Sequence, residues 1–159
     1  MNYIIRDAKP EDMPQVLNLI KELAIFEREP EAVVVTVEDL QRDGYGDQPL
    51  FHCFVAEKEG VIVGMALIYP RYSTWKGKTI HLEDLIVTEK MRGTGLGTAL
   101  FSEVIKYGHK QGVRRIEWVV LDWNEPAITF YENNGAQILR DWDAAQLDEE
   151  GIKKYISKL

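Results

Sequence analysis

Gly93, Gly95 and Gly97 alternate along Arg92-Gly93-Thr94-Gly95-Leu96-Gly97, where a strand-like run hands over to a helix-like one. Without Cβ atoms such a backbone curls tightly and points several N–H groups at one anion. The following helix adds unsatisfied first-turn donors and the positive end of its dipole. The matching chemistry is the binding of a pyrophosphate, with Lys90 and Arg92 available as counter-charge. From these residues alone a plain glycine-rich turn is an equal reading. Two common phosphate motifs are excluded. A dinucleotide fingerprint needs glycine where Thr98 stands and a helix that opens early in the chain. A P-loop needs Gly-Lys-Ser/Thr after the turn, and none is there.

The remaining reactive side chains narrow the choice. Cys53 is the only cysteine, which excludes an internal disulfide and a multi-cysteine zinc site. It lies in the strand-like run Phe51–Ala56, where a buried core thiol is expected. His52 and His81 fall in strands and His109 in a helix, without metal-ligand spacing, so a structural or solvent-facing place is expected for each and no metal is expected. The formal charge of −7 disfavours nonspecific binding to nucleic acid or anionic membranes and suits a cationic partner. No apolar run approaches the roughly 20 residues that cross a bilayer. Arg6, Asp7, Lys9, Glu11 and Asp12 leave no apolar signal core, so a cytoplasmic location is expected.

The elements that must position these groups follow from periodicity. Tyr3–Arg6 reads as a first strand. Lys9-Pro10-Glu11-Asp12 opens a helix whose Met13, Val16, Leu17, Ile20, Leu23 and Ala24 form one apolar face. Thr36 caps a short second helix, ended near Gly44 and Gly46. Strands follow at Phe51–Glu57, Val61–Tyr69 and Thr79–Val87, then the glycine turn and a helix bearing Leu100, Phe101, Val104 and Ile105. Arg115–Leu121 is a fifth strand and Glu125–Asn134 a helix with Gly135 as its cap. Gln137–Arg140 and Trp142–Leu147 read as short final strands before a helix at Glu149–Ser157. No linker or repeat interrupts the chain, and a single mixed α/β domain over residues 1–159 is expected.

Arg92-Gly93-Thr94-Gly95-Leu96-Gly97 resembles the Arg/Gln-x-x-Gly-x-Gly/Ala turn by which GNAT-superfamily N-acetyltransferases hold the coenzyme A pyrophosphate. Lys21-Glu22-Leu23-Ala24, Asp43-Gly44-Tyr45-Gly46, His52-Cys53, Leu82-Glu83-Asp84 and Trp123-Asn124-Glu125-Pro126 resemble the diamine (spermidine/spermine-like) subgroup. Tyr72-Ser73-Thr74-Trp75-Lys76-Gly77 and Leu121-Asp122-Trp123-Asn124 resemble its thialysine branch. The resemblance implies a GNAT fold, a mixed, centrally splayed sheet flanked by helices, with the pantetheine arm between its fourth and fifth strands. It also implies acetyl-CoA as co-substrate, a small cationic amine (a thialysine-like amino acid, a diamine or a polyamine) as acceptor, and a homodimer.

The implied reaction sets its own demands. A lysine-like amine has a pKa of about 10.4, so freeing it at neutral pH costs about 4–5 kcal/mol. The resemblance puts the proton acceptor at Glu83, acting directly or through water, with the bland reading a solvated strand carboxylate. It puts the general acid for the departing thiolate at Tyr131, otherwise a packing aromatic. Leu85, Ile86, Val87, Arg92, Gly93, Thr94, Gly95, Leu96, Gly97, Thr98, Asn124 and Tyr131 are the implied acetyl-CoA contacts, the Leu85 N–H polarising the acetyl carbonyl. Asn124 also fits a helix cap. Glu27, Trp75, Glu83, Asp84 and Trp123 are the implied amine contacts, with packing the alternative for both tryptophans. Ser73-Thr74-Trp75 departs from the Asp-Pro-Trp of polyamine acetylators, and the missing acid favours a shorter amine. Two rivals remain: a GNAT enzyme for another amine (protein N-terminus, amino acid or aminoglycoside), and a non-catalytic acyl-CoA sensor.

Overall fold

Tight turns convert the central apolar runs into a meander. β2 (His52–Lys58) and β3 (Val61–Ser73) join through Glu59 and Gly60, and β3 returns as β4 (Gly77–Val87). Ile62–Ile68 of β3 is buried throughout, as a central strand covered on both faces must be. β1 (Ile4–Asp7) adds antiparallel to β2, and β5 (Ile116–Glu117) adds parallel to β4, giving the mixed order β1-β2-β3-β4-β5. The computed structural model describes residues 2–159, in two compact units that divide at Val119 and Val120.

The sheet belongs to the first unit, with helices on it. A 3-10 turn at Pro10–Asp12 leads into α1 (Met13–Phe26), and α2 (Val37–Tyr45) follows. Met13, Val16 and Leu17 pack into a core with Cys53, Val55, Met65, Leu67 and Ile86 of the sheet. Thr36 and Asp39 form a reciprocal capping box at the start of α2, as expected. α3 (Leu96–Lys110) buries Leu96, Leu100, Phe101 and Val104 and packs on β2, β3 and β4. Its Gly108 has no room for a side chain, since a Cβ there would stand 2.6 Å from Ile116 Cδ1. Arg6 ties the chain's start together, bonding Asp12 at 2.7 Å and Glu57 at 2.7 Å. Its guanidinium holds the Asp12 carboxyl below the usual range. Cys53 is a core thiol, pushed up to about 12 by burial.

The second unit contains α4 (Glu125–Asn133) and α5 (Glu149–Ile156). Two expectations change. The fifth strand shrinks from Arg115–Leu121 to two residues, because β4 and β5 pair only at Ile80↔Ile116 and His81↔Glu117. The final strands at Gln137–Arg140 and Trp142–Leu147 do not form, and Leu139, Trp142 and Leu147 of that stretch are exposed. A short apolar-containing stretch can join a ladder, but a strand exists only where a partner supplies the other half. None of the described helices is long and apolar enough to cross a membrane.

Candidate active site

β3 and β4 pair in register from Ser73↔Gly77 to Ile68↔Leu82, and again from Leu67↔Asp84 to Gly64↔Val87. Glu83 falls between two consecutive partners and is the extra residue of a β-bulge. On a regular strand Glu83 and Asp84 would face opposite sides of the sheet. The bulge breaks that alternation, and the adjacent carboxylates share one field with Glu27 at the end of α1. Burial pushes the Asp84 carboxyl up to about 7, with the Glu83 and Glu27 charges adding to the effect. Burial, then Glu83, raises Glu27 as well. Three acids thus converge where an ammonium ion would relieve their repulsion. Among the described residues no group of acids, histidines and cysteine is arranged to hold a metal ion.

The bulge also re-aims the backbone. Thr88 N–H bonds Val63 O at 2.9 Å, and ladder bonds to one neighbour recur every second residue. Ile86 and Asp84 therefore turn their N–H groups to β3, while Leu85 and Val87 turn theirs to the other edge. Before the bulge the parity is reversed, since Ile80 N–H bonds Arg115 O at 3.1 Å. β5 ends at Glu117, so past His81 that edge has no strand partner among the described residues. An outward N–H two residues beyond a carboxylate can polarise a carbonyl drawn alongside.

The same strand runs into the glycine turn. Gly93 and Gly95 adopt φ of 74° and 84°, the left-handed region that side chains disfavour. Gly95 caps α3, and the first helical bond is donated by Ala99 to Gly95 O at 3.0 Å. The N–H groups of Leu96, Gly97 and Thr98 are left as first-turn donors. Thr94 Oγ1 donates to Met91 O at 2.6 Å and fixes the turn's entry.

Glu22 of α1, within the Lys21-Glu22-Leu23-Ala24 segment, also contributes to the turn, although its residue type alone does not point there. Its carboxylate accepts from Thr88 Oγ1 at 3.1 Å and Glu89 N–H at 3.1 Å, and Arg92 Nη2 lies 3.8 Å away. Arg92 also sits 5.5 Å over the Phe26 ring and donates Nε to Val87 O. α1 therefore pins the start of the turn and orients its arginine. Glu22→Ala is expected to raise the acetyl-CoA KM about three- to tenfold, with kcat nearly unchanged, through loss of two or three such bonds. Steady-state kinetics with acetyl-CoA varied checks this.

The tryptophan at the hairpin tip stands apart. Trp75 is 78% exposed in the turn before β4, six residues ahead of His81, roughly 20 Å at strand rise. The structure does not bring it to Glu27, Glu83 and Asp84. Ser73 has a local task there, its Oγ accepting from Trp75 N–H and Lys76 N–H at 3.1 Å each. In the second unit, Asn124 caps α4 by accepting from Ala127 N–H at 3.4 Å, and Trp123 precedes it, half-exposed. Tyr131 lies on α4, half-buried, its ring 5.4 Å from that of Phe130. His81, expected to be structural or solvent-facing, has Nε2 3.5 Å from Glu83 Oε2. His52 is structural as expected, stacked on Tyr107 and bonded to Asp7.

Comparison with known proteins bears on the family and the fold. The acetyltransferase (GNAT) family matches residues 13–136. A thialysine N-epsilon-acetyltransferase of Bos taurus is 36% identical, over 98% of this chain and 98% of its own. A human spermidine/spermine N(1)-acetyltransferase-like protein is 37% identical over 86% of this chain and 21% of its own. An integron cassette protein from the mobile metagenome of V. cholerae shares the fold, with a TM-score of 0.80 at 19% identity over 98% of each chain.

Proposed function

We propose that this chain, which belongs to the GNAT acetyltransferase family, works as one domain over residues 1–159 and acetylates the primary amine of a small cation such as a thialysine-like amino acid or a short diamine. The observation that carries the substrate is the bulge at Glu83, with two adjacent carboxylates in the electrostatic range of Glu27, on a strand whose outer edge past His81 has no strand partner among the described residues. Acetyl-CoA is the acyl donor of the family, and its pyrophosphate fits the donors of the turn from Arg92 to Thr98. The thioester carbonyl lies along Leu85–Val87, polarised by the Leu85 N–H. Asp84 and Glu27 hold the ammonium by charge, and Glu83 takes its proton directly or through a water. The free amine attacks the thioester carbon, the tetrahedral oxyanion collapses as the C–S bond breaks, the thiolate leaves with a proton from Tyr131, and the second proton of the new amide nitrogen restores that hydroxyl. Asn124 bonds the pantetheine amides, and Trp123 lines the amine.

The reading extends to a cytoplasmic homodimer. Trp75 is exposed at a hairpin tip, and a second copy is the partner that gives its ring work at an amine site. Coenzyme A release from acetyl-CoA, measured against thialysine, lysine, short diamines, spermidine, spermine and a peptide amine, tests the proposal. The expected result is turnover that favours the short amines. Preference for the polyamines would detach Ser73 from specificity and leave it the turn-capping task seen here. Acetyl-CoA binding with silence on every amine would favour an acyl-CoA sensor.

A further inference from the structure

His81 and Tyr69 are cross-strand partners of β4 and β3, one register step before the bulge. Their rings lie 5.0 Å apart at 32°, so each limits the other's rotation. Both turn toward Glu83. His81 Nε2 lies 3.5 Å from Glu83 Oε2, and burial followed by the neighbouring Glu83 charge raises the Tyr69 phenol. The His81 side chain is only 9% exposed, and its Nδ1 has no hydrogen-bond partner among the described residues. In the tautomer protonated at Nε2, that N–H points at the Glu83 carboxylate. On its other side His81 faces Glu117 of β5, but that carboxylate is engaged at 2.7 Å by Arg71 and at 3.0 Å by Arg115.

A bulge residue needs such support. Glu83 has no cross-strand partner of its own, and its side chain is about half exposed. Left alone, a glutamate there samples several rotamers, and only some direct an oxygen at a substrate amine. Two donors on rigid, mutually packed rings select among them. The 3.5 Å separation is long for a hydrogen bond, as donor contacts to catalytic groups often are before substrate arrives.

We propose that His81 and Tyr69 are positioning residues for Glu83, holding its carboxylate in the rotamer that accepts the proton of the bound amine. This rests on the acetyltransferase reading above and on Glu83 as its base. Neither ring touches substrate. The proton moves from ammonium nitrogen to a Glu83 oxygen, and His81 Nε2–H and the Tyr69 hydroxyl stay donors throughout.

The test is a double-mutant cycle in the full chain. His81→Leu is expected to lower kcat about tenfold, the loss of one hydrogen bond to a charged group, with KM for amine and acetyl-CoA changed less than about twofold. His81→Gln, which places an amide donor near the lost Nε2 but cannot titrate, is expected to recover most of kcat. Tyr69→Phe should give a smaller loss of the same kind, and it keeps the inference testable if His81→Leu folds poorly. In a Glu83→Gln background, His81→Leu should cost nothing further, since the group it positions no longer takes a proton. An equal loss in both backgrounds, or no rescue by glutamine, overturns the proposal and leaves His81 a packing residue. If Glu83→Gln alone keeps full kcat, the base assignment has failed and the positioning role falls with it. That outcome is visible in the single variant.

Discussion

Glu83→Gln is expected to lower kcat for amine acetylation by 10²–10³, on the order of what a positioned proton acceptor contributes, while acetyl-CoA affinity holds within about twofold. Glutamine preserves the length of the side chain and an acceptor oxygen for Tyr69, but it takes no proton. The variant must then wait for the minority of substrate that is already neutral. That fraction grows about tenfold per pH unit until the amine's own pKa near 10.4. Activity of the variant should therefore climb steeply from pH 7 to pH 9.5, narrowing the gap to the parent enzyme. Single-turnover rates across that range, with acetyl-CoA binding measured by calorimetry, check both halves. A variant with the parent's rate at pH 7 would move the base elsewhere, and Asp84 would be the next candidate.

The position of Glu83 at a bulge is not visible in any one segment. The glycine turn is legible in the sequence because its geometry is local: alternating glycines predict left-handed backbone, and Gly93 and Gly95 adopt it. The face of α1 and the capping box of α2 are local in the same sense. The bulge is a property of two strands in register. Leu67 and Ile68 have to meet Asp84 and Leu82 before Glu83 is seen to be extra, and strand pattern alone does not mark the step. His81 was passed over for the same reason. Without metal-ligand spacing a strand histidine reads as structural, and its relation to Glu83 needs the bulge. The final strands fail differently. Gln137–Arg140 and Trp142–Leu147 are short apolar-containing stretches of the kind that can join a sheet, but pairing depends on an available edge, which the residues themselves do not encode. Tyr131 and Asn124 were singled out on resemblance rather than on local chemistry. For Asn124 the structure supplies the cap that its residue type suggested.

Asp84→Asn is expected to stabilise the protein and disable it, two effects of opposite sign from one partly buried carboxyl. Burial and the Glu83 and Glu27 charges raise the Asp84 carboxyl from an ordinary 3.8 to about 7. An acid that holds its proton more tightly folded than unfolded makes the folded state bind more protons between those values. Stability must then fall as pH rises from about 4 to about 7, and the loss is complete above that window. Asparagine removes the group that causes it. At pH 8 the variant should gain about 2–4 kcal/mol, a Tm rise of roughly 5–10 °C for a chain of this length, and at pH 4 almost nothing. The amine site loses in exchange. An ammonium ion draws the proton off Asp84 and receives a charge-assisted partner worth about 1.5–3 kcal/mol, so KM for the amine should rise on the order of 10- to 100-fold. In the parent enzyme the same proton competes with substrate, and the apparent amine affinity should strengthen as pH climbs through 7, a dependence that Asp84→Asn abolishes. Thermal melts at pH 4 and pH 8, set beside amine KM from pH 6 to pH 8.5, measure each part separately. A Tm gain that is the same at both pH values would show that the carboxyl is not charged against its surroundings at pH 8. An unchanged amine KM would remove Asp84 from the cation's path and leave Glu27 and Glu83 to hold it.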